Sequence, residues 1–568
     1  MRRPDAWRNR DPGCEVRAQQ RSLRPLQATA QQQAQKSAKG RRGDTQATNP
    51  LRDEVGSGEK RFNAFLAEFA DAWLLAGGLP RVILIVDPQF QIVLCSAATA
   101  GGLKPQPQRF MTAQRAGRRG RGRTGKSPVK LALRFLQVAA VLAAALASPA
   151  QAATEIMWWH AMSGELGKQL EKLAADFNAS QADYRIVPTY KGSYTETVTA
   201  SIFAFRSRSQ PAIVQVNEIA TATMMAARGA IYPVYELMHE QSEPFSPEAY
   251  LPAVTGYYSD LAGNMLSFPF NVSTPILYYN KDLFRAAGLD PEVAPKTWAE
   301  VGAAAKRLRA AGATCGLTTS WPSWVHVENF SAFHNLPLAT RANGFGGLDA
   351  QLTFNNPDVV RHIAQLAEWQ ATKVFDYGGR GQSAEPRFQK GECAIFIGSS
   401  GTRADIKANS KFEVGYGMIP YRPEIAGAPQ NSIIGGATLW VLRDRPRAEY
   451  AGVARFFAYL SKPEVQAAWH QNTGYLPITR AAFDLTRAQG FYDRNPGAAI
   501  GIEQLTLKPP TGNSKGIRLG SFVLIRGVID EELEQVFSGK RSAQAALDLA
   551  VERGNHLLRQ FERANPDR

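Results

Sequence analysis

Cysteine and histidine are scarce in this chain: four of the first and seven of the second among 568 residues. Only Cys315 and Cys393 lie beyond residue 152, a weak signal that leaves one bridge and two buried free thiols as equal alternatives. The histidines are scattered, and no second His or carboxylate stands at metal-ligand spacing from His160; His160 reads as structural, and neither metal nor cofactor is expected. A hydrophobic run able to cross a bilayer, which takes about 20 residues, is also missing. The run from Phe135 to Ala147 has 13. After residue 152 there is no short-period repeat and no linker long enough to separate independent domains.

The charge is unevenly spread. Residues 1–152 hold 25 Lys+Arg and 10 Asp+Glu, which leaves 41 basic and 40 acidic residues for 153–568. The net charge of +16 therefore sits in the first quarter of the chain, and the nearly neutral remainder argues against a nucleic-acid-binding surface. Residues 126–152 combine a basic flank (Lys126, Lys130, Arg134), the short apolar run and Ala150-Gln151-Ala152, the pattern of a secretory signal peptide cleaved after Ala152. No Cys follows that run, so a lipid anchor is not indicated. Residues 1–125 read as a basic extension, disordered or upstream of the true start, with Met111 or Val129 as alternative start positions. Residues 120–127, GRGRTGKS, satisfy a phosphate-loop pattern but have no strand before them and Pro128 directly after; we reject the match.

From Glu155 onward strand and helix alternate. The runs EIMWWH (155–160), YRIVPTY (184–190), PAIVQV (211–216), PILYYN (275–280), CGLTTSW (315–321), GECAIFI (391–397) and IIGGATLWVL (433–442) read as strands. Leu166, Leu170, Leu173 and Phe177 mark one face of a helix, Thr297 to Glu300 is a capping box, and Asn356-Pro357 opens a further helix. Residues 546–564 form a closing helix. The pattern predicts an α/β protein of two lobes, each a mostly parallel sheet flanked by helices. Lobe 1 spans 153–270 and 440–474, lobe 2 spans 271–439 and 475–568. In such sheets ligands bind beyond the carboxyl ends of the strands, which singles out Trp159, His160, Tyr190, Tyr194, Glu218, Trp321, Trp324 and Ser399-Ser400-Gly401. That mixture of rings, hydroxyls and carboxylate suits a small polyhydroxylated ligand.

At WWHAMSGELGKQLEKLAADFN (158–178), VPTYKGSY (187–194), YYNKDLFRAAGLDP (278–291), IIGGATLWV (433–441) and WHQNTGYLPIT (469–479) the chain resembles the sn-glycerol-3-phosphate-binding periplasmic proteins of ABC importers, kin of the maltose-binding cluster. The resemblance runs from Glu155 to about Ala564 and implies a two-lobed periplasmic-binding-protein clamshell. It implies ligand contacts at Tyr194, Glu218, Ser273, Ser399, Gly436, Tyr475 and Arg526, with Trp321 and Trp324 as an aromatic floor. Arg526 would offer a guanidinium fork to phosphate, Ser399 a hydroxyl with backbone N–H groups, and Gly436 close backbone approach. Glu218 and Arg526 could instead form an ion pair between the lobes. Asn217 departs from the Tyr of the related V-x-E string, which leaves the choice between glycerol 3-phosphate and glycerophosphocholine open.

The leading function is therefore capture without catalysis: a periplasmic monomer that takes a glycerol phosphate compound and delivers it to a membrane permease complex of two permease subunits and an ATPase. A maltose-type sugar binder and a periplasmic glycerophosphodiester hydrolase are the alternatives. The hydrolase would need metal ligands or a nucleophile with a base, and the sequence offers neither.

Overall fold

The computed structural model describes residues 153–566. The basic extension, the signal-peptide segment, the GRGRTGKS stretch, Cys14 and Cys95 lie outside the described residues.

Two sheets organise the chain. The first holds β1 (Thr154–His160), β2 (Tyr184–Tyr190), β3 (Ile213–Asn217), β4 (Ile231–Tyr232), β5 (Phe268–Ser273) and β10 (Gly435–Leu442), in the order β2-β1-β3-β10-β4, with β5 also paired to β10. The second holds β6 (Pro275–Asn280), β7 (Cys315–Thr319), β8 (Cys393–Ser399) and β9 (Val414–Gly417), in the order β7-β8-β6-β9. Each sheet has its own core. Ile156, Trp158 and Ile213 pack with Leu166, Leu170 and Phe177 of the helix Gly164–Ser180. In the second lobe Leu277, Leu317 and Ile395 pack with Trp298, Val301 and Leu308 of the helix Trp298–Ala310.

The sheets are mixed rather than mostly parallel. β1 runs parallel to β2 and β3, and β7 to β8. β10 is antiparallel to β3, β4 and β5, and β6 to β8 and β9. The reason is topological: after β5 the chain leaves for the second sheet and returns as β10, entering the first sheet from the opposite end, where no right-handed βαβ crossover imposes direction. Residues 271–273 and 435–439, expected in the second lobe, thus stand in strands of the first sheet. Cys315 and Cys393 are register partners on β7 and β8 and form a disulfide with Cα atoms 4.5 Å apart, which resolves the choice left open by the sequence.

Where the chain returns, β10 shifts register against β5 between Ala437 and Thr438. Gly436 sits there at φ +99°, and a Cβ on it would lie 1.9 Å from the Asn271 carbonyl oxygen. Both the left-handed backbone and the contact exclude a side chain. We expect Gly436→Ala to cost about 3 kcal/mol or more in a denaturant titration, whereas Gly256→Ala, with nothing within 4 Å of the new methyl, leaves stability unchanged or raises it.

The second lobe also buries imidazoles. His326 Nδ1 lies 3.1 Å from His362 Nε2, and His326 Nε2 lies 3.0 Å from the Thr319 hydroxyl. Burial lowers His326 to about 3 and His160, His334 and His470 to about 4, and drives His362 down as well. Below the unfolded value of about 6.5 the unfolded chain takes up protons that the folded chain refuses, so stability falls as pH drops from 6.5 towards 4. Burial also raises four carboxyls, Glu385 to about 7, Asp530 to about 6, and Glu218 and Asp405 above their ordinary values, which act in the opposite sense over part of that range. With five imidazoles against four carboxyls the loss prevails: thermal melts should show Tm falling by a few degrees, on the order of what 1–3 kcal/mol shifts in a chain of this size, per pH unit below 6.

Candidate functional site

A run of hydrogen bonds ties the carboxyl end of β1 to the site. The Ala161 N–H donates to Gln215 Oε1 (2.8 Å), Gln215 Nε2 donates to Asn271 Oδ1 (2.8 Å), and Asn271 Nδ2 donates to the Tyr194 hydroxyl (3.1 Å). Gln215 and Asn271 are buried strand residues of β3 and β5, so their amides have little choice of partner. Tyr194 opens the helix Tyr194–Arg206, whose Ser193 and Glu196 form a capping box that fixes its first turn. Burial pushes the Tyr194 phenol up to about 12, so at neutral pH the hydroxyl keeps its proton and can donate or accept.

Tyr475 approaches from the end of the helix Pro463–Thr473, turned by Gly474 at φ +110°. Its ring stacks on Trp469 with an interplanar angle of 1° and lies against Gly401, where a Cβ would meet the ring at 2.6 Å. Gly401 belongs to the Ser399-Ser400-Gly401 turn, in which the Gly401 N–H donates to Ser399 Oγ (3.1 Å) and the Ser400 N–H to the Thr274 carbonyl (2.9 Å). Trp321 sits half-buried in the left-handed region at φ 52°, held by its own N–H to the Gly381 carbonyl (2.8 Å) and by its carbonyl to the Val325 N–H (2.9 Å). A bulky side chain in that conformation costs about 1 kcal/mol or more and marks an imposed position.

Tyr194, Trp321 and Tyr475 share the wall of a cleft of about 500 Å³. The first lobe adds Ser163 and Gly164, the second Glu385, Gln389 and Asp405. Three of the nine sequence-predicted residues are thus brought together on one surface; Glu218, Ser273, Trp324, Ser399, Gly436 and Arg526 do not line it. Ser273 is buried at the end of β5, paired with Gly435, and Gly436 bends β10 beside it. Trp324 is buried behind the crossing, with its ring where a Cβ on Gly435 would lie 2.3 Å away.

Glu218 and Arg526 form the ion pair that the sequence left as an alternative, and they do not form it alone. Arg526 Nη2 contacts Glu218 Oε1 at 2.8 Å and Glu328 Oε2 at 2.6 Å, while Arg526 Nε donates to Glu328 Oε1 at 2.7 Å. All three side chains are buried. Burial works against the Arg526 charge, but the carboxylates of Glu328 and Glu218 outweigh it and hold its pKa above the ordinary value. Glu218 is pushed up by burial, against the pull of Arg526. Two of the three guanidinium nitrogens, Nε and Nη2, are thus committed to carboxylates. Sequence reasoning missed Glu328, Asn271 and Gln215. A signal for Glu328 existed: a lone acid inside the apolar run WVHVENF has to find a buried partner. Among the described residues no group of His, Cys, Asp or Glu is arranged to hold a metal ion, and no helix is long and apolar enough to cross a membrane.

Comparisons with known proteins fit this geometry. The chain is 51% identical over 433 residues to the sn-glycerol-3-phosphate-binding periplasmic protein UgpB of Escherichia coli (strain K12), covering 76% of this chain and 99% of that protein. It is likewise 51% identical over 436 residues to the UgpB of Salmonella typhimurium, covering 77% and 99%. Among solved structures, UgpB from Mycobacterium tuberculosis in complex with glycerophosphocholine superposes with a TM-score of 0.61 at 20% identity, covering 72% of this chain and 99% of that one. Maltose-bound MalE3 of T. maritima superposes with a TM-score of 0.58 at 16% identity, covering 71% and 100%. These last two show the shared two-lobed fold. Residues 172–499 match the family described as bacterial extracellular solute-binding protein. With more than half of its length in that match and 51% identity over 433 aligned residues, this chain is a member of the bacterial extracellular solute-binding proteins.

Proposed function

We propose that the protein is a periplasmic receptor that captures sn-glycerol 3-phosphate or a glycerophosphodiester such as glycerophosphocholine and hands it, unreacted and as a monomer, to a permease complex of two permease subunits and an ATPase. The observation that carries this reading is the 51% identity with the UgpB of Escherichia coli along 99% of that protein, combined with a cleft whose wall takes phenol and indole groups from two lobes. Tyr194 and Tyr475 supply hydroxyls, Trp321 covers C–H faces, and the Ser399 turn with Arg526 supplies donors for a phosphate. Glu218, aimed by Arg526, accepts from glycerol hydroxyls. On this reading the lobes divide at Thr274 and at Ile434, where the strands leave the first sheet.

A ligand touching both lobes shifts the population towards the closed form, in which it is presented to the permease. Calorimetry should show single-site binding of glycerol 3-phosphate or glycerophosphocholine, no binding of maltose, and no release of choline or inorganic phosphate. Binding of maltose alone would establish the sugar receptor; steady product release, the hydrolase; no binding of either glycerol phosphate compound would overturn the proposal.

Arg526→Ala carries two consequences. It strands Glu218 and Glu328 as buried, uncompensated carboxylates, which costs about 3–5 kcal/mol in a urea titration. It also abolishes phosphate-ligand binding, while Glu218→Gln, which keeps the shape and one hydrogen bond, lowers affinity by about ten- to a hundredfold in calorimetry at little cost in stability.

A further inference from the structure

The helix Gly164–Ser180 of the first lobe begins without a cap of its own. Its N-cap residue, Ser163, makes no side-chain hydrogen bond to the first turn. The missing acceptor comes from the other lobe: Asp405 Oδ1 accepts the Glu165 N–H at 3.0 Å. Gly164, at φ +58°, leaves room for it, since a Cβ there would stand 2.9 Å from the same oxygen. Asp405 belongs to the helix Arg403–Asn409, whose Ile406 is packed in the second lobe against Tyr278 and Phe396.

Two residues earlier, Arg403 does the reverse. Its Nη2 donates at 2.9 Å to the carbonyl of Gln471, in the last turn of the helix Pro463–Thr473. That helix belongs to the first lobe, where Trp469 is part of the core. Backbone N–H groups at a helix start and carbonyls at a helix end lack partners within the helix, and the dipole makes the first end attract anions and the second attract cations. One turn of the second lobe thus sets an anionic side chain on the positive end of one first-lobe helix and a cationic side chain on the negative end of another. Gly474 keeps the approach tight, because a Cβ there would lie 2.4 Å from the Ser400 carbonyl oxygen and 2.7 Å from Arg403 Cβ. The clamping turn directly continues the Ser399-Ser400-Gly401 segment beside Tyr475.

We propose that Arg403 and Asp405 are positioning residues that act as a closing clamp, gripping opposite ends of two first-lobe helices only when the lobes meet and so linking occupancy of the neighbouring Ser399 turn to lobe engagement. Neither residue needs to touch ligand; both act through the closed state. The link to ligand rests on the function proposed above, whereas the clamp itself does not.

The test uses Asp405→Asn, Arg403→Gln and the double variant in the mature exported protein, with Asp405→Glu as a milder change should the first fold poorly. Stopped-flow binding of glycerophosphocholine should show dissociation about five- to tenfold faster in each single variant, the size of a lost helix cap, and faster again in the double variant, with association changed less than twofold. Small-angle scattering should show a more open ligand-free ensemble in the variants than in the wild type. Unchanged dissociation together with unchanged scattering would overturn the clamp, as would slower association with normal dissociation, which would put the residues in the entry path instead. If the wild-type protein bound no glycerol phosphate compound, the functional reading would fail, and the ligand-free scattering comparison would still decide the clamp.

Discussion

A guanidinium buried between two carboxylates governs much of this architecture. Arg526 can be taken out of water only because Glu218 and Glu328 surround it, and those three residues come from stretches of chain far apart in sequence. Such a triad contributes little net stability, since desolvation offsets most of the Coulombic gain. Its effect is geometric: it draws together the segment after β3, the π-helix Trp324–Asn329 and the helix Phe522–Phe537, which supply the three charges. The first lobe is tied to the second at that point.

Around it the crossing segments need close approach, and glycine permits it. Gly435 admits the Trp324 ring, Gly436 the Asn271 carbonyl, and Gly401 the Tyr475 ring. The polar relay from Ala161 through Gln215 and Asn271 then sets the Tyr194 hydroxyl towards the cleft that Trp321 and Tyr475 share. Because the groups of that wall are divided between the lobes, neither lobe alone presents a complete site. A ligand that satisfies both therefore has different affinities for open and closed forms, which is the requirement for a binding protein that signals occupancy by its shape.

Legibility in the sequence followed the range of the interactions. β2 and β6 were read to the residue because hydrophobic runs bounded by polar residues are local signals, and Thr297 and Asn356 cap the helices expected of them because capping needs only the next three residues. β5 was missed, its pattern broken by Pro269. The helix Phe522–Phe537, which carries Arg526, was missed as well: its apolar opening lacks a capping side chain, and Ser521 before it is left-handed. Strand direction was misjudged because alternation of strand and helix says nothing about where the chain re-enters a sheet.

The sequence by itself determined the α/β class, the elements with strong periodicity and, through extended motifs, the membership of a binding-protein family. Only the tertiary structure decided that Tyr194, Trp321 and Tyr475 face one cavity, that Arg526 is shared by two acids, that Cys315 and Cys393 meet, and that Asp405 caps a helix of the opposite lobe. The reason is physical. Local patterns record how a segment hides its own apolar face, whereas partners for buried charges and orphaned backbone groups are found only after distant segments have been brought together.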